Sequence, residues 1–269
     1  MPYPMMGWNA WYLIPGPPAS PWPNQTTLLE IADAFVSSGL AAAGYVYMSP
    51  GVQTLASHTP PKLAHPENFP GGLRAFRDQL HARRLKFTWG VSPGLAWCES
   101  PYSPPEGCLW DVAAKWVGEM GADNLVADWD IYSTRGQDQF QVGAANITFV
   151  RERYRSIWSS MMKYAGPNLT YQLYDGAVVA RPWLWAHEVS HTWLTSGEDI
   201  SCSWDGIVDM VDNVLSIRNF DRHVGPGSFP DLGGILVGHN CTCFTQQFLF
   251  RSCRFYLLTT TCGHRHWRG

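Results

Sequence analysis

The feature that most constrains this chain is an alternation: short apolar runs of strand length recur between longer segments whose apolar residues repeat at helical spacing. The runs are MMGWNAWY (5–12, a first strand and its exit), GYVYMS (44–49), KFTWGVS (86–92), NLVA (124–127), LTYQLYD (169–175), HTWLTS (191–196) and a seventh over 233–237. Between them the spacing predicts helices over about 27–40, 72–84, 109–120, 149–164 and 203–218, with a short helix over 183–189. Leu28, Leu29, Ile31, Ala32, Phe35 and Val36 give the first helix its apolar face, and Leu73, Phe76 and Leu80 do the same for the second. Strands alternating with helices predict a parallel α/β sheet. No Gly-rich dinucleotide fingerprint follows the first strand, which leaves a (β/α)8 barrel of the TIM type as the expected fold. The eighth strand is the difficulty. From residue 239 the chain turns Cys-rich and only 255–258 has strand character, so the expectation is a barrel over 1–238, incomplete at its eighth strand, and a divergent tail over 239–269.

Composition narrows the function. A chain of 269 residues, 45% hydrophobic, buries a large core in one domain. Its 19 basic and 22 acidic residues give a net charge of −3 without any basic block, which argues against nucleic acid or an anionic membrane as partner. No apolar run approaches the roughly 20 residues that span a bilayer. The 14 Trp, 11 Tyr and 12 Phe suit the C–H faces of sugar rings as well as they suit a core. Residues 1–8 (MPYPMMGW) lack the charged and apolar regions of a secretory leader, whereas sequons at Asn24, Asn146, Asn168 and Asn240 point to glycosylation. The expectation is a secreted glycoprotein whose leader is not among these residues. Of seven cysteines, Cys98 and Cys108 are spaced to close a small loop. The four after residue 240 lack a clean zinc spacing; with His264 and His266 they make a metal-binding tail an alternative, while the site itself is expected to use neither metal nor cofactor.

The chemistry is expected in GADNLVADWD (121–130), where a buried strand ends in two carboxylates flanking a tryptophan. In a barrel the C-terminal strand ends form the mouth, where catalytic groups sit, so Asp128 is the first candidate for a working acid. The plainer alternative is an aspartate that caps the next element or is bonded within a loop. Asp199, in Gly197-Glu198-Asp199 after the sixth strand, supplies a second acid on another strand end. Two facing carboxylates are the minimal machinery for glycoside cleavage.

The ordered set of segments MGWNAW (6–11), IADAFVSSGLAAAGYVY (31–47), FPGGLRAFRDQLHARRLKF (69–87), GADNLVADWD, PWLWAHEVSHTWLTSGEDIS (182–201) and VGPGSFPDLGGILVG (224–238) resembles glycoside hydrolase family 27, the α-galactosidase and α-N-acetylgalactosaminidase family. The resemblance implies a retaining glycosidase acting on a terminal α-galactoside-type sugar, with Asp128 as nucleophile and Asp199 as acid/base. One extra residue between Trp193 and Asp199 leaves Glu198 as a rival for the second role. Trp8 resembles the family's sugar-stacking tryptophan, with a core aromatic as the alternative, and Asp175 stands where the family has the strand-five glutamate. Asp130, in place of the cysteine after Asp-Trp, joins them as a candidate for substrate binding and leaves Cys98 without that partner, for which Cys108 is the substitute. Other departures are larger. The Asp-Asp pair that ends strand two in the family is replaced by Ser49-Pro50-Gly51-Val52, the lysine and tyrosine before the nucleophile are Val126 and Ala127, the strand-three tyrosine is Gly90, and Leu194 or Thr195 replaces the arginine before the acid/base. The lost contacts make a non-catalytic, glycan-binding relative the second reading.

Overall fold

A computed structural model describes residues 3–10, 23–51, 66–91, 110–129, 147–175, 181–195, 200–201 and 204–235. In chain order these form β1 (Gly7–Asn9), α1 (Gln25–Ser37), β2 (Tyr47–Ser49), α2 (Gly72–Ala82), β3 (Lys86–Val91), α3 (Trp110–Met120), β4 (Asn124–Trp129), α4 (Ile147–Tyr164), β5 (Thr170–Asp175), β6 (Thr192–Leu194), β7 (Ile200–Ser201), α5 (Trp204–Leu215), β8 (Phe229–Asp231) and β9 (Gly234–Ile235). Two 3-10 turns, Pro182–Leu184 and Ala186–Glu188, replace the single short helix expected over 183–189. Seven strands make one all-parallel sheet in the order β1-β2-β3-β4-β5-β6-β8, the arrangement that the alternation predicts.

One strand differs from expectation. The seventh member of the sheet is Phe229–Asp231, not the run at 233–237; Gly234–Ile235 pairs instead with Ile200–Ser201 in a separate parallel two-stranded ribbon. Pro230 disguises β8, since proline cannot donate to a ladder and is confined in sheets to edge strands, which is where β8 lies among the described residues.

The helices begin and end where local chemistry requires. Asn24 caps α1 by accepting from the Thr27 N–H at 2.9 Å, satisfying one of the unpaired donors of the first turn. α2 buries Leu73, Phe76 and Leu80, and α4 buries Val150, Tyr154, Ile157 and Met161, both at helical spacing. α3 stops at Gly121, whose φ of +74° is open to glycine and costly for other residues. A Cβ there would also lie 2.0 Å from Nη1 of Arg77, so the bare backbone makes room for a guanidinium packed over the helix end. α5 buries Met210 and Val214 and leaves Trp204, Val208, Val211 and Leu215 exposed along its outer side.

Strand alternation sorts the sheet into two faces. Phe87 and Trp89 of β3 form one aromatic cluster with Phe76 of α2, and Tyr171 of β5 stacks on Trp158 of α4 with ring centres 5.4 Å apart, so these odd-numbered positions face the helices. The intervening residues face the other way: Asn124 receives a 2.9 Å hydrogen bond from the Thr170 hydroxyl and lies 3.5 Å from that of Thr88. The sheet curls toward this second, concave face, because Gln172 of β5 reaches Asp231 of β8 across the intervening β6.

Polar groups brace the N-terminal side of the sheet. Asp123, just before β4, accepts from the Phe87 N–H and from His81 of α2, each at 2.7 Å. Asp111 on α3 collects Ser160, Lys163 and Tyr164 of α4 at 2.7, 3.0 and 2.9 Å, and these donors hold its carboxyl down to about 2. Arg83 reaches back from the end of α2 to both oxygens of Asp33 on α1.

Candidate active site at the C-terminal rim

All seven strands of the sheet run in one direction, so their C-terminal ends share a rim. β4 reaches it at Asp128-Trp129, with Asp128 in register with Tyr174 of β5 and Trp129 in register with Asp175. The two residues that precede Asp128 at alternate positions, Asn124 and Val126, sit opposite Thr170 and Gln172 on the concave face. The strand that carries Asp128 is therefore central in the sheet, held on both sides by β3 and β5. Asp175 ends β5 at the same rim.

The second acid expected from the sequence lies outside the described residues. Thr195 follows β6 and Ile200 opens β7, and Asp199 with its rival Glu198 lies between them, outside the described residues, as does Asp130. The described flank is tightly held: the backbone N–H and the hydroxyl of Thr195 both donate to the Asp231 carbonyl, at 3.1 and 3.2 Å. Cys98, Cys108, the sequons Asn146 and Asn240, and the cysteine-rich segment with His264 and His266 are also outside the described residues. Among the described residues no group of three or more His, Cys, Asp or Glu side chains is placed to hold a metal, and no helix is long and apolar enough to cross a membrane.

Trp8 is placed differently from its expected role. Its ring packs edge-on to Phe35 of α1, 6.5 Å between centres, and against the buried cluster beneath the helices. Its neighbour in register is Met48, itself buried and in register with Phe87 of the helix-facing aromatic cluster. Position 8 thus falls on the helix-facing side of β1, where a large aromatic fills the layer between sheet and helix, and not on the concave side.

Two residues on the concave face went unread in the sequence. The side-chain amide of Gln172 donates to Oδ2 of Asp231, whose Oδ1 accepts the Gly233 N–H at 2.9 Å. Burial raises the Asp231 carboxyl above the ordinary carboxylate range, and those two donors pull it partly back. Leu194 of β6 is in register with Asp231, and Leu173 with Trp193, so one step further along β5 and β6 brings Tyr174 and Leu194 level. Asp231 is consequently at the height of Asp128 in the sheet, three strands away. The carboxyl is visible in the sequence within FPDLGG (229–234), but nothing local announces its partner.

At the exit of β2 the hydroxyl of Ser49 accepts the Gly51 N–H at 3.3 Å, so the turn that follows this strand closes on itself. Among the described residues of this exit, 49–51, there is no carboxylate.

The family model described as alpha galactosidase A matches residues 4–251. Alpha-galactosidase D of Emericella nidulans is 29% identical over 239 residues, which cover 87% of this chain and 34% of that protein. Alpha-galactosidase 3 of Arabidopsis thaliana is 28% identical over 239 residues, covering 88% of this chain and 49% of that one. Among solved structures, alpha-galactosidase I from Mortierella vinacea has a TM-score of 0.67 at 22% identity, over 88% of this chain and 60% of the other. A family 27 β-L-arabinopyranosidase from Geobacillus stearothermophilus has a TM-score of 0.60 at 15% identity, over 85% of this chain and 60% of the other. The chain spans between a third and a half of the length of these two curated relatives. Since the match runs from residue 4 to residue 251, through every strand of the curled parallel sheet, the chain belongs to the alpha galactosidase A family, glycoside hydrolase family 27.

Proposed function

We propose that this chain carries the reacting half of a retaining glycosidase for terminal α-galactosides, with Asp128 as nucleophile and Asp199 as acid/base. The observation that supports it is the position of Asp128 at the C-terminal end of a central parallel strand in a chain of this family. In the first step the Asp128 carboxylate attacks the anomeric carbon while Asp199, or Glu198 in its stead, gives a proton to the departing glycosidic oxygen. In the second step the same acid, now a base, takes a proton from water, which attacks the glycosyl ester and restores both groups. A retaining pair works at a separation of about 5 to 5.5 Å. Asp175, at the rim beside β4, is the described candidate for a sugar contact, and Asp130 is a further one. The domain of residues 1–238 is the unit that would carry the activity. Secretion is part of the same reading, with the exposed Asn24 and Asn168 available for glycans.

The test is turnover of an aryl α-galactoside by the full chain and by Asp128→Asn. Release that vanishes with the substitution supports the reading, and equal release by both proteins overturns it. The Asp199→Ala and Glu198→Ala pair then assigns the acid, whose loss should lower turnover by about 10² to 10⁴.

The turn after β2 favours a second reading. With Ser49 closed onto Gly51 where the family resemblance implies two hydroxyl-binding acids, this reading has galactose held without efficient cleavage. Calorimetric binding of galactose together with no Asp128-dependent turnover would select a glycan-binding protein over an enzyme.

A further inference from the structure

We propose that Gln172 and Asp231 form a sugar-gripping pair on the concave face, binding neighbouring hydroxyls of the substrate ring held at Asp128, Gln172 from two residues below its level and Asp231 from the same level. The proposal rests on the glycosidase reading for its substrate class, a galactose-type pyranose.

Placement is the first support. Gln172 is on the strand adjacent to β4 and two residues before Tyr174, the residue in register with Asp128. Strands lie about 4.8 Å apart and rise about 3.3 Å per residue, which sets the Cα atoms of Gln172 and Asp128 roughly 8 Å apart. A pyranose ring attached at Asp128 therefore spans the gap between the two positions. Asp231 joins Gln172 from the far side of β6 through a side-chain hydrogen bond, so both polar groups turn into the curl of the sheet.

Chemistry is the second. An ionised carboxylate offers about four lone-pair sites and a primary amide two N–H groups and a carbonyl oxygen. The bonds from Gly233 and Gln172 engage only part of that capacity. The remainder matches a pair of sugar hydroxyls, which donate to the carboxylate and to the amide oxygen and accept from the second amide N–H. Hydrogen bonds to an ionised partner are stronger than those between neutral groups.

The third support is the poor structural return of such a pair. A part-buried carboxylate held by an amide is weaker packing than two apolar side chains of similar size, and desolvation works against the charge of Asp231. Residues 49–52 hold no acid where the family resemblance implies two that bind hydroxyls, which leaves a place for a grip on the concave face beside the contacts proposed for Asp175 and Asp130.

The experiment is calorimetric titration of galactose into the full chain carrying Asp128→Asn, which removes turnover, and into the same chain with Gln172→Leu, Gln172→Glu or Asp231→Asn added. Gln172→Glu keeps the shape of the side chain while replacing its donor with a charge that opposes Asp231, so the proposal stays testable if Gln172→Leu does not fold. Each Gln172 variant is expected to weaken galactose binding at least tenfold, and Asp231→Asn less, with circular dichroism showing native structure. Deoxygalactoses sharpen the result: a sugar that lacks the gripped hydroxyl binds the parent weakly but loses nothing further in the Gln172 variants. Folded variants with parental affinity overturn the proposal, and so does a parent that takes up no galactose. Turnover lost with Asp128 but unrelated to Gln172 leaves the glycosidase reading standing and removes the pair alone.

Discussion

The two faces of the curled sheet are built from different kinds of side chain. Toward the helices stand Met48, Phe87, Trp89, Leu125, Tyr171, Leu173 and Trp193, all at most 2% exposed. On the concave side the corresponding strands present Thr88, Gly90, Asn124, Val126, Thr170, Gln172 and Thr192. A barrel interior is ordinarily filled by layers of bulky branched residues. Here the bulk is between sheet and helices and the polar groups are inside the curl. The difference teaches that the helix-facing layer carries most of the apolar packing, while the concave face mixes polar side chains with apolar ones such as Leu194.

The sharpest way to break that contrast is to remove an aromatic from the helix-facing layer. Phe87 is fully buried, with ring centres of Phe76 and Trp89 at 6.0 and 5.8 Å. Phe87→Ala should cost about 3 to 5 kcal/mol, through lost transfer energy and the cavity left behind, and is read as a drop in the urea midpoint followed by circular dichroism. A loss below about 1 kcal/mol would mean that this layer does not carry the fold.

A smaller effect is expected at the polar brace below the rim. Asp123→Ala strands the Phe87 N–H that now donates to it at 2.7 Å, and an unpaired buried donor costs about 1 to 3 kcal/mol. Asp123→Asn keeps an acceptor for that N–H and should recover most of the loss, which separates the hydrogen bond from the charge.

The two faces should also respond to pH with opposite sign. His191, on the helix-facing side against Trp158, accepts the Tyr171 N–H at Nδ1, and burial holds its pKa below the usual histidine value. With the folded pKa below the unfolded value near 6.5, its contribution is complete above that pH and is lost as pH falls toward the folded pKa. Asp231 behaves the other way. Its folded pKa is raised by burial, so its contribution is complete below the unfolded value near 3.9 and is lost as pH rises through the folded pKa. Melting curves from pH 4 to 7 should therefore show Asp231→Asn gaining on the parent as pH rises, and His191→Asn closing its deficit as pH falls. Parallel curves would remove the electrostatic part of the contrast.

Much of this division was legible in the sequence, because the signals that specify it are local. Leu73, Phe76 and Leu80 repeat at helical spacing and α2 forms there; LTYQLYD alternates and β5 forms there. Asp128 was legible as a strand-end acid within a family motif. The misses share a physical cause. β1 has three residues, too few for alternation to assign Trp8 to a face before its contact with Phe35 is known. β8 hides behind Pro230, because its edge position excuses a residue that a central strand would exclude. The pairing of Gln172 with Asp231 joins residues 59 apart and exists only because the sheet curls, which no local pattern encodes.

The smallest predicted effect probes the concave face directly. Thr192 is 3% exposed, sits in register with Gln172, and its hydroxyl finds no hydrogen-bond partner among the described residues. Thr192→Val exchanges that hydroxyl for a methyl group of nearly the same size on the same β-branched skeleton, so strand preference is kept. A buried hydroxyl without a partner is a cost that the substitution removes, and the expected change is between zero and a gain of about 1 kcal/mol, measured in the same urea titration as Phe87→Ala. A gain would show that the concave face keeps a polar group against the interest of stability, as a face shaped for ligand rather than for packing does. A loss of more than about 1 kcal/mol would instead mean that the hydroxyl is satisfied, and that the concave face is braced as firmly as the layer behind it.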